Sequence, residues 1–197
     1  MFEESSNIRS KIIKAALKCA SEVRWKKVSL LMIAEEVDLP LAEIYKHFPS
    51  KLAVVGALLE RSTDLIFSRD EPYSSNEPVH DRLLDNILKR FEILEEDKQA
   101  IVSIVKDTKF DPLANLFLAP KLFNSMAQTL EKSGINSSGL VGMMRIKGVT
   151  VIYLMAFNIW LHDNSPDLEK TMAFLDRRLK QAVQIASVLP LPIIEKR

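Results

Sequence analysis

The chain has 197 residues, a net charge of +1 and a hydrophobic fraction of 47%. That length and apolar content suffice for one domain, or for a small head on a larger body, with a substantial core. The near-neutral charge excludes a strongly basic nucleic-acid coat protein. The single cysteine, Cys19, excludes a disulfide framework and indicates a reducing compartment.

Helical periodicity dominates the N-terminal part of the chain. Apolar residues at steps of three and four predict a first helix over about residues 6–23. Ser29 suits the N-cap of a second helix over residues 30–37, and Pro40 suits the first turn of a third helix that reaches His47. Ser50 would then cap a long fourth helix, which extends over residues 50–68.

Residues 28–51 are typical of a helix-turn-helix DNA-binding motif, because two short helices are joined there by a tight polar turn. The motif ends in an aromatic and basic cluster, residues 45–48, followed by Lys51. Residues 8–51 contain nine basic and five acidic residues, so the excess positive charge lies at this end of the chain. A basic end suits a phosphate partner.

Residues 69–78 are polar and contain two prolines, which predicts a loop and a domain boundary. Further helices are predicted over residues 79–95, 97–107 and 113–130. No strand-like alternation competes with these patterns, so the chain is predicted to be all-α.

The last two helices, predicted over residues 138–162 and 167–188, indicate an interface between subunits. The first is apolar on nearly all faces, and one small chain can hardly cover it completely. Ser165 is expected to cap the second, with Pro166 in its first turn. Pairing both helices with their copies would form a homodimer.

No membrane span is expected, since the uncharged run of residues 148–161 is shorter than the roughly 18 apolar residues that a bilayer requires. The polar, acidic first residues do not resemble a signal peptide. We therefore expect a soluble cytoplasmic protein.

The first four helices resemble the DNA-binding head of the TetR-family regulators. The matching residues are Ile12 to Leu17, Ile33-Ala34, Ile44-Tyr45, Phe48 and Ser50-Lys51. The resemblance implies a TetR-like homodimer with a DNA-binding head at residues 1–51, a linking helix at 50–68 and a ligand-binding and dimerisation body at 69–197. Such a protein would be a ligand-responsive transcriptional regulator, with repression as the expected sense of regulation.

Eight residues of the head are candidates for contacts with double-stranded DNA. Those expected near phosphates are Ser29, Tyr45, Lys46, His47 and Lys51, and those expected near base edges are Leu41, Ala42 and Glu43. Alternatively, Ser29 is only a helix cap, Tyr45 only packs, and the lysines are ordinary surface residues. The sequence departs from the family pattern at Asp38, Pro40, Leu41 and Glu43.

The body contains aromatic and methionine side chains that can line a pocket for an apolar effector or form plain core. The candidates are Phe91, Phe117, Phe123, Met126, Met144 and Tyr153. The three histidines, His47, His80 and His162, lie in separate segments, and no catalytic motif is present. We therefore expect no enzymatic activity, no metal site and no cofactor.

A second resemblance concerns the C-terminal part, residues 160–167 and 171–178, which look like the end of the lipid-binding accessory protein of ubiquinone biosynthesis. That family shares the TetR architecture without regulating transcription. It usually carries a C-terminal amphipathic membrane helix, where this chain has VLPLPIIEKR with two prolines. The alternative function is therefore a non-enzymatic lipid- or quinone-binding accessory protein.

Overall fold

The computed structural model describes residues 2–68 and 77–188, and this part of the chain is helical with no β-strand. The predicted loop at residues 69–76 and the C-terminal residues 189–197 lie outside the described residues. Nine α-helices follow one another in the described part: α1 Phe2–Glu22, α2 Leu30–Val37, α3 Leu41–His47, α4 Lys51–Ser68, α5 Val79–Glu95, α6 Lys98–Thr108, α7 Pro112–Lys132, α8 Gly139–Trp160 and α9 Glu169–Val188. Short 3₁₀ turns precede α2 and α9 at Trp25–Lys27 and Pro166–Leu168. The all-α prediction is confirmed.

Two compact units are assembled from alternating stretches of the chain. The N-terminal unit comprises Met1–Ser62 and Leu94–Lys121, and the C-terminal unit comprises Thr63–Ile93 and Leu122–Arg197. Each unit thus joins segments that are distant in sequence. The functional division into residues 1–51 and 69–197 stays a prediction.

The core of the N-terminal unit forms where α1 packs against α2 and α6. Ile12, Ile33 and Ile44 are fully buried there, and Trp25 is almost fully buried. The short helices α2 and α3 each contribute a fully buried isoleucine to this core. This packing holds the helix-turn-helix segment on the longer helices.

The C-terminal unit has an aromatic cluster at its centre. The Phe91 ring stacks on the rings of Tyr153 and Trp160, with centroids 5.4 and 5.6 Å apart. Trp160 also packs against Phe157. These contacts hold α5 against the C-terminal half of α8, and α8 also packs along α9.

The outer face of α8 is apolar and exposed. Six large apolar side chains there are between 44% and 72% exposed: Leu140, Met143, Met144, Val151, Leu154 and Met155. They recur at steps of three, four and seven, so they form one stripe along the helix. The subunit alone therefore leaves the predicted interface helix uncovered.

Helix α8 is also long and apolar enough to cross a membrane by length and composition, a property shared with core helices of soluble proteins. The uncharged run that begins at residue 148 is too short to indicate this property. The helix begins nine residues earlier, at Gly139, and includes Arg145 and Lys147.

The start of the last helix differs from the prediction. Helix α9 begins at Glu169, and the backbone at Asp167 and Leu168 is left-handed, so Pro166 opens a separate 3₁₀ turn. The Asp163 carboxylate organises this corner by accepting hydrogen bonds from the backbone and hydroxyl groups of both Ser165 and Thr171. The Ser165 hydroxyl donates a hydrogen bond to Asp163 and accepts one from the Lys170 N–H at 3.4 Å, in the first turn of α9, but it caps no N–H group of the 3₁₀ turn.

Candidate nucleic-acid interface

The turn between α2 and α3 has the backbone that a helix-turn-helix requires. Ser29 caps α2, its hydroxyl oxygen accepting a hydrogen bond from the Met32 N–H at 3.1 Å. Asp38 ends the helix in a left-handed conformation, with φ 55° and ψ 47°. Aspartate tolerates this region better than most residues, so the turn forms without the glycine that the family pattern usually has.

Helix α3 presents one solvent-facing side and one buried side. Ile44 and Phe48 are buried and fix the helix on the N-terminal unit. Ala42, Tyr45 and Lys46 are exposed on the opposite side, and Tyr45 is 54% exposed. The other three predicted DNA-contact residues of this helix are partly exposed: Leu41, Glu43 and His47. The predicted contact residues of α3 therefore form one accessible surface.

The ionisable side chains on this surface interact with one another. The Glu43 carboxylate lies 2.6 Å from the Lys46 ammonium and 3.5 Å from the His47 ring nitrogen. The hydrogen bond from Lys46 is the main reason that the pKa of Glu43 is lowered. A phosphate that binds Lys46 must therefore compete with Glu43 for this ammonium group.

Lys51 has a structural role that the sequence did not indicate. Its ammonium group donates hydrogen bonds to the carbonyl oxygens of Trp25 and Val28, at 2.9 and 2.5 Å, and lies 5.0 Å from the Trp25 ring centre. Burial lowers the pKa of Lys51. Two of its three N–H groups thus tie the start of α4 to the segment before α2, so at most one remains for a DNA phosphate.

Arg9 supports the C-terminal end of α3, a contact that was not predicted from the sequence. Its guanidinium donates a hydrogen bond to the carbonyl oxygen of His47 at 3.0 Å and lies 4.5 Å from the centre of the Phe48 ring. A cation at the C-terminal end of a helix interacts favourably with the helix dipole. The two residues are 38 positions apart, so no local pattern could have revealed the contact.

Helix α6 is fastened to the segment that precedes the helix-turn-helix. Asp107 pairs with Arg24 at 2.5 Å and accepts a hydrogen bond from the Lys26 N–H at 2.9 Å. That backbone hydrogen bond is the largest cause of the lowered pKa of Asp107. The Trp25 N–H donates to the Ser103 hydroxyl at 3.0 Å. These contacts therefore fix α6 to the residues before α2.

The predicted effector-contact residues fall into two groups. Phe91, Met126 and Tyr153 are buried in the C-terminal unit, where Phe91 and Tyr153 stack on each other. Phe117, Phe123 and Met144 are 40–54% exposed, and Phe117 belongs to the N-terminal unit, beneath Lys121. The six residues thus belong to both units. Their role in ligand binding stays a prediction.

An open cleft of about 640 Å³ lies elsewhere, between the end of α1 and α6 in the N-terminal unit. None of the predicted effector-contact residues lines it. In the described part of the chain, no group of three His, Cys, Asp or Glu side chains could hold a metal ion.

Two family models match this chain. Residues 12–58, which span most of α1, the helix-turn-helix and the first part of α4, match the family described as bacterial regulatory proteins, tetR family. Residues 147–186, within α8 and α9, match the family described as COQ9. The matches reproduce both resemblances found in the sequence.

Among curated proteins, the HTH-type transcriptional repressor KstR of Rhodococcus jostii (strain RHA1) is 30% identical over 71 residues. The matched segment covers 36% of this chain and 34% of the length of that repressor. The chain therefore matches about a third of this relative.

Solved structures of TetR regulators match over nearly the whole chain. One from Nitrosomonas europaea ATCC 19718 has a TM-score of 0.75 at 20% identity, covering 90% of this chain and 99% of its own. One from Rhodococcus sp. RHA1 has a TM-score of 0.70 at 16% identity, covering 98% and 100%. One from Syntrophomonas wolfei str. Goettingen has a TM-score of 0.65 at 17% identity, with the same coverage of 98% and 100%. At these identities the likeness establishes the fold.

Proposed function

We propose that this chain, which has the TetR fold and a TetR-type N-terminal domain, is a transcriptional regulator that binds operator DNA as a homodimer. The match at residues 12–58 carries the proposal, because it falls on the helix-turn-helix whose α3 surface is accessible. Repression is the sense of regulation that the similarity to a repressor favours. In this role the protein would act in the cytoplasm.

The contacts of α3 would divide into two kinds. Leu41, Ala42 and Glu43 would face base edges, where a carboxylate can accept a hydrogen bond from cytosine. Ser29, Tyr45, Lys46, His47 and Lys51 would lie near phosphates, which position the helix without reading sequence. Lys46 would leave its ion pair with Glu43 and bind a phosphate oxygen instead. Lys51 would keep its hydrogen bonds to two carbonyl oxygens.

Dimerisation would place α8 and α9, the helices predicted over residues 138–162 and 167–188, against their copies. The exposed apolar stripe on α8 supports this arrangement, and α9 adds Met172 and Val183, which are 42% and 39% exposed. Such a stripe is larger than the scattered apolar residues that ordinary monomer surfaces carry. Twofold symmetry would then give two recognition helices for a near-palindromic site.

The regulator would respond to a small molecule bound in the C-terminal unit. An effector that favours one separation of the two heads over another would change operator affinity. By linkage, DNA must then change effector affinity by the same factor. Regulation by an effector therefore requires that the effector changes DNA affinity and DNA changes effector affinity by equal factors.

Selection of binding sites from fragmented genomic DNA tests the function. We expect enrichment of a near-palindrome whose half-sites lie about 34–36 Å apart, or one helical turn. A Tyr45→Ala variant removes an exposed side chain that is expected near a phosphate, and it should weaken the binding of all fragments. Selection that enriches no sequence contradicts the proposal.

The match of residues 147–186 to the COQ9 family supports a second candidate, a non-enzymatic lipid- or quinone-binding accessory protein. It accounts for only a short segment within α8 and α9. In this role the protein would bind an apolar ligand with no coupling to DNA. Ligand titration with and without the selected DNA separates the candidates, since only the regulator requires the two affinities to be linked.

A further inference from the structure

Helix α3 has few side chains that can read bases through hydrogen bonds. Its sequence, LAEIYKH over Leu41–His47, contains no arginine, asparagine or glutamine. Those are the side chains that form paired hydrogen bonds with guanine or adenine in the major groove. Lys46 can also bond to guanine, but it lies in the last turn of the helix, where we expect it near a phosphate. Direct reading of purines by α3 is therefore poorly provided for.

The polar groups of α3 pair mainly with one another. Glu43 lies 2.6 Å from the Lys46 ammonium and 3.5 Å from the His47 ring nitrogen. Exposed ion pairs of this kind are weak, so Lys46 can move to a phosphate and release the carboxylate. The base that a carboxylate then suits is cytosine, whose amino group donates a hydrogen bond. The one hydrogen-bonding side chain in the first turn of α3 thus favours a pyrimidine.

The rest of the first turn is aliphatic and reaches solvent. Ala42 is exposed and Leu41 is partly exposed, whereas Ile44 in the next turn is fully buried. Pro40, which precedes the helix, is exposed as well. In a helix-turn-helix the N-terminal residues of the recognition helix are those that contact base edges. The end of α3 that would enter the groove therefore presents apolar surface.

We propose that Leu41 and Ala42 recognise the C5-methyl groups of thymines, so that thymine at defined positions of each half-site distinguishes the operator. The proposal rests on the proposed function, for which it names the class of DNA sequence. The thymine methyl is the apolar group that the four bases expose in the major groove, and aliphatic side chains pair with it by contact. Because the methyl lies on one strand only, the contact also distinguishes T·A from A·T.

The size of the effect follows from the area of one methyl group. Its burial against an aliphatic side chain corresponds to about a fourfold gain in affinity. A homodimer repeats the contact in the second half-site, so a symmetric pair of thymines contributes about fifteenfold. An effect of this size is easily measured, and no phosphate contact produces it, because phosphates are the same at every base.

Replacement of thymine by deoxyuridine tests the proposal, since it removes the C5-methyl group and keeps the hydrogen-bonding groups of the base. Fluorescence anisotropy would measure the affinity of the full-length protein for the selected duplex and for duplexes in which symmetric thymine pairs are replaced one pair at a time. We expect at least one replacement to weaken binding about fifteenfold. A site at which every replacement changes affinity less than about threefold, or a selected half-site without thymine, would overturn the proposal.

A variant then assigns the methyl contact to a side chain. Leu41→Ala should weaken binding to the thymine duplex and leave binding to one deoxyuridine duplex nearly unchanged, so the penalty at that pair disappears. Lys46→Ala is the matched control, because loss of a phosphate contact should weaken both duplexes by the same factor and preserve the penalty. Undiminished penalties at all pairs in a folded Leu41→Ala protein would overturn the assignment. The deoxyuridine comparison needs no variant and decides the proposal if this protein does not fold.

The two levels of the account can fail separately. Selection that enriches no sequence would refute the proposed function, and the thymine contact with it. A selected operator whose affinity depends on no thymine methyl would keep the regulator and refute the contact made by Leu41 and Ala42.

Discussion

Substitution of Leu154 by glutamate should convert the dimer into a folded monomer. Leu154 lies in the middle of the exposed stripe on α8 and is 49% exposed in the isolated subunit. Full burial of a leucine is worth about 1.5–3 kcal/mol, so covering the exposed half is worth about 1 kcal/mol per subunit. A buried carboxylate without a partner adds at least about 1–3 kcal/mol.

Twofold symmetry doubles both effects, because each interface contains two copies of the side chain. The total is about 4–8 kcal/mol, which raises the dimer dissociation constant on the order of a thousandfold or more. Sedimentation velocity at concentrations from about 1 to about 100 µM measures this change in affinity. Circular dichroism checks that the variant stays helical.

Leu113→Glu is the matched control. It makes the same change at a leucine of α7 that is 74% exposed and belongs to the N-terminal unit. We expect this variant to sediment as the unaltered protein does. A Leu154→Glu protein that remains dimeric over the same concentrations would refute the placement of the interface on α8.

Three further predictions concern single side chains. Arg9→Met should lower the free energy of unfolding by about 1–2 kcal/mol, through loss of a charged hydrogen bond to the end of α3, and chemical denaturation measures this. Lys51→Met should destabilise the N-terminal unit in the same assay as well as weaken DNA binding, because its ammonium group satisfies two carbonyl oxygens; unchanged stability would mean that Lys51 acts on DNA alone. Asp163→Asn should lower the free energy of unfolding by about 3 kcal/mol at neutral pH, since a charged acceptor of four hydrogen bonds is lost. Burial alone would raise the pKa of Asp163, but the hydrogen bonds from Ser165 and Thr171 outweigh it and hold the pKa far below its usual range. The stabilisation is therefore complete above about pH 4 and declines as the pH falls, so the difference between Asp163→Asn and the unaltered protein should shrink in acid; a constant difference would contradict it.

Local signals in the sequence predicted the bounds of some helices well. Helix α2 has the predicted bounds because Ser29 and Asp38 mark its ends with their own side chain and backbone preferences. Helix α5 likewise has the predicted bounds, since its apolar periodicity is regular. Where residues that are close in sequence determine the ends of a helix, the sequence pattern is enough to predict its bounds.

Contacts between distant residues were not predictable in the same way. The start of α9 depends on Asp163, whose carboxylate binds Thr171 eight residues later. The role of Lys51 depends on carbonyl groups that lie 23 and 26 residues earlier. In both places the side chain type allowed several roles, and only the three-dimensional structure selects one.

The sequence of α5 contains a hint that Arg90 is buried. Asn86 and Arg90 are separated by one helical turn and share a face with Leu83, Ile87 and Leu94, all of them buried. Two polar residues thus interrupt the apolar face of α5. Charged residues are almost never fully buried unless they are paired, so despite this hint the sequence alone provided no sufficient reason to expect the buried arginine that the structure shows.

The affinity of the dimer for its selected site, measured by fluorescence anisotropy beside an unrelated duplex of equal length, tests the central claim most directly. We expect the selected site to bind at least about a thousandfold more tightly at physiological salt. Lys46→Ala should weaken binding to both duplexes and reduce the slope of log affinity against log salt by about one. Equal affinities for the two duplexes, with no effect of Lys46→Ala, would contradict the claim that α3 reads DNA.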